Sequence, residues 1–213
     1  FAMQGEADAG YVVTESSAYS SDYRGWKLFD DDESTGTSSW ESTPNVGNLQ
    51  APYPSSSPGS GSNFGYAARE LFAARSGLKD GTTVFGEWVQ MMFPHKILVD
   101  HVDIMPQGSL LARAPGIAVF LGSNTGDGDW DTLATVNKEG ETPVQSVYTT
   151  FIVQSTIPYK FLRIVWKTTH TAGSSGRGRA GAQEIKIYGN KEGDLTRFPE
   201  STKVLKYPPV VFP

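Results

Sequence analysis

The run Asp30-Asp31-Asp32-Glu33 sets four carboxylates on consecutive residues. Like charges this close repel unless donors or a cation lie between them. A hard cation with oxygen ligands, Ca2+ above all, suits such a turn when backbone carbonyls and a hydroxyl such as that of Thr35 stand nearby. The same run equally reads as a solvated acidic loop, as charge clusters usually do. His95, His101 and His170 fall in no metal spacing such as HExxH, and neither GxSxG nor GxxxxGK[ST] occurs. Lone histidines without a partner read as solvent-facing polar residues, so the chain is expected to be non-catalytic.

The elements that must position these residues are strands. Of 213 residues, 38% are hydrophobic and 12% aromatic, enough to bury a core in one large domain or two small ones. The 23 glycines and 13 prolines are scattered and interrupt any long helix. The best helix candidate is Tyr66–Ser76, with alanines, Leu71 and Phe72 at helical spacing and Gly77 as its stop. Period-two or short apolar runs predict strands over Trp88–Phe93, Ile97–Ile104, Gly116–Leu121, Val147–Ile157, Tyr159–Trp166 and Gln183–Tyr188. Turn chemistry separates them at Pro94-His95, Pro106-Gln107-Gly108, Asn124–Gly128 and Gly173–Gly178. Many short strands at this spacing make an all-β sandwich or barrel. Trp88, Trp130 and Trp166 are expected to fill the space between sheets, with Phe29 and Trp40 pinning the acidic turn.

Two segments stand outside this pattern. Ala51–Ser62 has ten of its twelve residues as Ser, Pro or Gly and reads as a loop. Residues 190–213 end in a proline-rich, extended tail that nevertheless carries Val210, Val211 and Phe212. It is either a frayed end or a segment that docks on another subunit. The domain expectation is thus an extension at 1–10, a sandwich at 11–189 containing the 51–62 loop, and a tail at 190–213.

The net charge is −5, which argues against a nucleic-acid partner. No stretch approaches the roughly 20 apolar residues of a membrane-spanning helix. The start at Phe1 shows no signal-peptide pattern, so any signal peptide is expected to be already gone or never to have existed. Cysteine is absent, which removes disulfides and thiolate chemistry. No Asn-x-Ser/Thr sequon occurs, although the Ser/Thr/Pro-rich stretches remain candidates for O-glycans.

Several segments together resemble discoidin, or factor V/VIII type C, domains. Ser16–Ser42 is similar to the family's opening, Gly86–Phe93 (GEWVQMMF) to its tryptophan strand, and Leu121–Leu133 (LGSNTGDGDWDTL) to its "gSnDG…W" hairpin. Tyr159–Trp166 (YKFLRIVW) and Ala180–Gly189 (AGAQEIKIYG) resemble its last two strands. The resemblance implies a galactose-binding-like jelly roll of two antiparallel sheets, with one short helix and the extended C-terminal tail. It also implies a structural Ca2+ held by the acidic turn together with the closing-strand glutamate, here Asp30, Asp32, Thr35 (or Thr37) and Glu184. Asp31 departs from the family pattern by replacing the usual glycine, and Gly36–Ser39 lengthens the path to Trp40.

Sugar-binding members present an arginine after a "P-R" turn, but this turn reads Met105-Pro106-Gln107, with Arg113 six residues later. The late loop offers His170, Arg177 and Arg179, and Tyr53, Phe64 or Tyr66 are the candidates for a stacking ring. The family also includes repeats in surface or fibre proteins of protists and giant algal viruses, behind a segment similar to Tyr207-Pro208-Pro209-Val210. The leading functional expectation is therefore an extracellular, non-catalytic structural subunit. It would assemble head to tail as a homo-oligomeric filament or particle surface through Tyr207, Val210, Val211 and Phe212. The alternative is a calcium-stabilised carbohydrate-binding or adhesion module whose partners are glycans.

Overall fold

The computed structural model describes residues 2–34, 39–42, 74–108, 110–170 and 179–194. Among them the strands in chain order are β1 (Ala7–Asp8), β2 (Tyr11–Glu15), β3 (Trp40–Glu41), β4 (Arg75–Gly77), β5 (Thr83–Phe85), β6 (Glu87–Met105), β7 (Pro115–Ser123), β8 (Asp131–Asn137), β9 (Thr149–Ile152), β10 (Tyr159–Thr169), β11 (Gly181–Ala182) and β12 (Glu184–Lys191). Short 3-10 turns at Gly25–Phe29 and Leu111–Arg113 are the helical elements among the described residues.

Strand β6 organises the sandwich. Its first half pairs with β2 and β10, and its second half pairs with β12 and β9, all antiparallel. One layer therefore runs β1-β2-β6-β10-β7-β8, and the far half of β6 carries β12 and β9 into the facing layer. The two layers meet in a core where Phe120 of β7 lies 5.8 Å from Phe151 of β9. Trp40 and Trp166, both fully buried, meet edge to face at 5.0 Å. All-β architecture and the sandwich are as expected.

Three local expectations are corrected. Pro94-His95 does not end a strand: the pairing of β10 jumps from Phe161↔Met92 to Tyr159↔Ile97, so the proline sits in a bulge where its missing N–H is not required. Arg75 and Ser76, expected at the end of a helix, belong to β4 and pair with β5. Tertiary packing overrides helix propensity there, because the Ser76 hydroxyl is buried and accepts a hydrogen bond from Arg163 Nη1 at 2.8 Å. The rest of that helix expectation, and the 51–62 loop, lie outside the described residues. The strand expected over Val147–Ile157 shrinks to Thr149–Ile152, after which Gln154 takes a left-handed φ of 49°.

Strand β10 carries apolar side chains on both of its faces. Leu162, Ile164 and Trp166 face the main core, whereas Val165 and Phe161 face a second cluster with Val119, Leu121 and Trp130. Both faces of a strand covered this way lose the usual polar alternation. Trp88 is a correction too: it is only half-buried and sits in this second cluster, stacked 3.9 Å from the Arg163 guanidinium, with Trp130 at 4.2 Å. Burial pulls Arg163 down to about 10, still charged at neutral pH. The N-terminal stretch is part of the body: Met3 is fully buried and its N–H bonds the Phe29 carbonyl at 2.8 Å.

Candidate functional site

The end of the sandwich where β6 stops and β7 begins carries a buried polar network. Glu41, on β3, is 3% exposed and is held by two arginines from separate elements. Arg113, at the end of the Leu111–Arg113 turn, pairs with Glu41 Oε1, and Arg179 Nη1 donates to Glu41 Oε2 at 2.8 Å. Gln107 Nε2 donates to Glu41 Oε1 at 2.7 Å and to Ser39 Oγ at 2.8 Å, while its Oε1 accepts from Arg113 Nη1 at 2.9 Å. Burial pulls Arg113 down; Glu41 opposes this and the charge of Arg179 adds to it. The network fixes every rotamer in it.

Its outward surface is aromatic. Tyr19, 44% exposed, lies under the Arg179 guanidinium at 3.8 Å from the ring centroid. Tyr23 stands 5.7 Å from Tyr19. The Tyr19 backbone is tied to the network by its N–H to the Glu41 carbonyl at 2.8 Å. An exposed ring beside a rigid set of donors and acceptors is an arrangement that stacks on the apolar face of a ring and hydrogen-bonds its hydroxyls.

The residues singled out from sequence divide three ways. Arg113 and Arg179 come together at Glu41, but Arg113 is 7% exposed and consumed by the buried pair, so the more accessible guanidinium is that of Arg179, whose side chain is 22% exposed. His170 does not face a ligand or solvent: it is 6% exposed, with Nε2 3.2 Å from the Lys138 carbonyl. Its ring packs at the root of the late loop because its N–H continues pairing from β10 to the Ala114 carbonyl. Thr35, Thr37, Tyr53, Phe64, Tyr66, Arg177, Tyr207, Val210, Val211 and Phe212 lie outside the described residues. Sequence reasoning missed Tyr19, Tyr23 and Glu41. The available signal was a pair of tyrosines four residues apart in a polar turn, with no periodicity to aim them.

The acidic turn and β12 form a second polar locus. Glu184 is 2% exposed, and its Oε2 has no hydrogen-bond partner. Burial, with the nearby Asp30 carboxylate, pushes it up to about 9, partly opposed by the Asp31 backbone N–H. Asp31 takes a left-handed φ of 59°, the conformation that explains a glycine at this point and that aspartate tolerates better than most residues. The rest of the run is relieved internally: Asp32 Oδ1 accepts from the Ser34 N–H at 2.9 Å, and Glu33 pairs with Lys186 Nζ at 2.8 Å and Tyr148 Oη at 2.7 Å. Among the described residues no three acidic or histidine side chains converge as a metal cluster. The orphaned Glu184 oxygen is nevertheless of the kind a hard cation takes, although two backbone oxygens of the turn, those of Asp32 and Ser34, already accept from Gln183 Nε2 at 3.4 and 2.6 Å.

No protein-family model and no curated protein matches this sequence. Solved structures do. A family 32 carbohydrate-binding module from a family 31 glycoside hydrolase of Clostridium perfringens is similar at 16% identity, with 85% of this chain and 92% of that one covered and a TM-score of 0.54. The family 32 module of C. perfringens NanJ, solved in complex with galactose, is similar at 13% identity over 84% and 93% of the two chains, TM-score 0.51. The F5/8 type C domain of a Bacteroides fragilis protein is similar at 14% identity over 87% and 95%, TM-score 0.53. The chain thus has the galactose-binding-like β-sandwich fold shared by F5/8 type C (discoidin-like) domains and family 32 carbohydrate-binding modules.

Proposed function

We propose that this chain is a non-catalytic carbohydrate-binding module whose ligand engages the Tyr19–Arg179 surface. The carrying observation is an exposed tyrosine ring fixed against a guanidinium that is itself anchored to a buried carboxylate. A sugar packs against the part of the Tyr19 ring that Arg179 leaves open, and its hydroxyls meet Arg179 and the adjoining backbone. The solved neighbours support the reading, since several are carbohydrate-binding modules. An extracellular setting suits that ligand class. Titration with a panel of simple sugars, read by intrinsic fluorescence, tests it: a saturable response that falls at least tenfold in Tyr19→Ala is expected. A flat response across the panel would overturn the reading.

Calcium belongs to the same proposal. Glu184 and Asp30 would hold the ion with backbone carbonyls of the acidic turn, an all-oxygen set. Bound there, Ca2+ neutralises the carboxylates and ties the turn to β12. The Asp30 and Asp32 carboxylates each already accept a backbone N–H, from Asp32 and Ser34 respectively. Calorimetric titration of chelator-treated protein checks the ion, and no heat together with no thermal stabilisation would remove it. Filament assembly through the tail depends on residues outside the described ones, and we leave it as the weaker reading.

A further inference from the structure

The charges around Glu41 do not balance. One carboxylate is shared by two guanidiniums, Arg113 on Oε1 and Arg179 on Oε2, which leaves one surplus positive charge. Arg113 is buried, so the surplus emerges at Arg179. Arg179 commits only Nη1 among the described residues, and its guanidinium lies over the Tyr19 ring, 3.8 Å from the centroid. Its Nε and Nη2 therefore remain as a preoriented pair of parallel donors, the geometry that a carboxylate accepts in bidentate fashion. All this occurs in a chain whose net charge is −5, so the site is a local exception to its overall field.

Resting on the carbohydrate reading above, we infer that the Tyr19–Arg179 site selects anionic sugars, the acidic group pairing with Arg179 while the sugar packs against the part of the Tyr19 ring that the guanidinium leaves open. Uronates and sulfated sugars share this chemistry, and the two are separable by experiment. The full chain, at fixed calcium, is titrated calorimetrically with matched pairs: galactose and galacturonate, glucose and glucuronate, and galactose with galactose 6-sulfate. In the pair whose ring fits, the acid is expected to bind at least tenfold tighter at low salt, the advantage shrinking several-fold in 0.5 M NaCl. Arg179→Gln should abolish the advantage, and Arg179→Lys, which keeps charge but loses the fork, should retain only part of it. Circular dichroism establishes that both variants fold. Carboxylate binding stronger than sulfate identifies a uronate site, and the reverse identifies a sulfated-sugar site.

If the neutral member of every pair binds as tightly as the acid, the anion inference is overturned and the carbohydrate reading survives. If no sugar binds, both fall together. Asp22, exposed in the Tyr19–Tyr23 turn, supplies a second readout: Asp22→Asn should tighten the acid and leave the neutral sugar unchanged. Equal effects on both would contradict the electrostatic origin.

Discussion

Glu41 and Glu184 are buried to almost the same degree, 3% and 2% exposed, and both lie near the C-terminal end of β6. Glu41 is saturated, with two arginines and a glutamine on its oxygens. Glu184 has an orphaned oxygen and a neighbouring carboxylate at Asp30, while the nearby Lys186 is paired with Glu33. The first is neutralised, and more than neutralised, by the chain itself. The second is stable only by holding a proton or by receiving a cation from outside. Equal burial thus produces a rigid scaffold in one place and an open valence in the other, because the partners differ.

The largest effect should come from breaking the saturated site. Glu41→Ala leaves two guanidiniums without their carboxylate, one of them buried, and is expected to cost about 3–5 kcal/mol in chemical denaturation. A loss below about 1 kcal/mol would mean the network is not holding that end together.

Next comes the unsaturated site. The folded state keeps the Glu184 proton up to about pH 9, whereas the unfolded chain releases it near its ordinary value of 4.5. Stability from this group is therefore fully present below about 4.5 and declines as pH rises toward 9, by at most about 1.4 kcal/mol per pH unit. Glu87, raised by burial beside Ser16 and Ser17, contributes in the same direction. In chelator-treated protein, Glu184→Gln should flatten much of the decline between pH 5 and 8 and remove the stabilisation by calcium. An unchanged slope in the variant would assign the pH dependence elsewhere.

Smaller still is the stability change in Tyr19→Ala, expected within about 1 kcal/mol because the residue is 44% exposed and outside the core, even as sugar affinity falls. That dissociation of binding from folding separates the outer face of the Glu41 site from its buried base. Least of all is Glu33→Gln, which breaks a surface pair with Lys186 and should change stability by no more than about 0–1 kcal/mol, less in high salt.

The frame was readable from sequence where each strand's pattern was local. Tyr159–Trp166, the Asn124–Gly128 tip, where Gly126 and Gly128 adopt positive φ, and the closing strand with Glu184 all emerge as expected. What escaped depended on distant partners. The bulge that lets β6 run through Pro94 exists because β10 skips residues opposite it. The burial of Arg163 depends on Trp88 of β6 and Trp130, just before β8, closing on it from distant parts of the sequence. The candidate site escaped for the same reason: Tyr19, Glu41, Gln107, Arg113 and Arg179 are scattered along the chain, and only the closure of the sandwich brings them together.

The most direct test of the central claim is a titration of labelled protein with the tightest-binding sugar, followed by amide and side-chain shifts in NMR. The account predicts saturable changes confined to Tyr19, Tyr23, Glu41, Arg179 and their immediate neighbours, with Glu184 unmoved at fixed calcium. Saturable shifts centred instead on the open groove of Tyr11, Phe93, Ile187 and Tyr188 would contradict it.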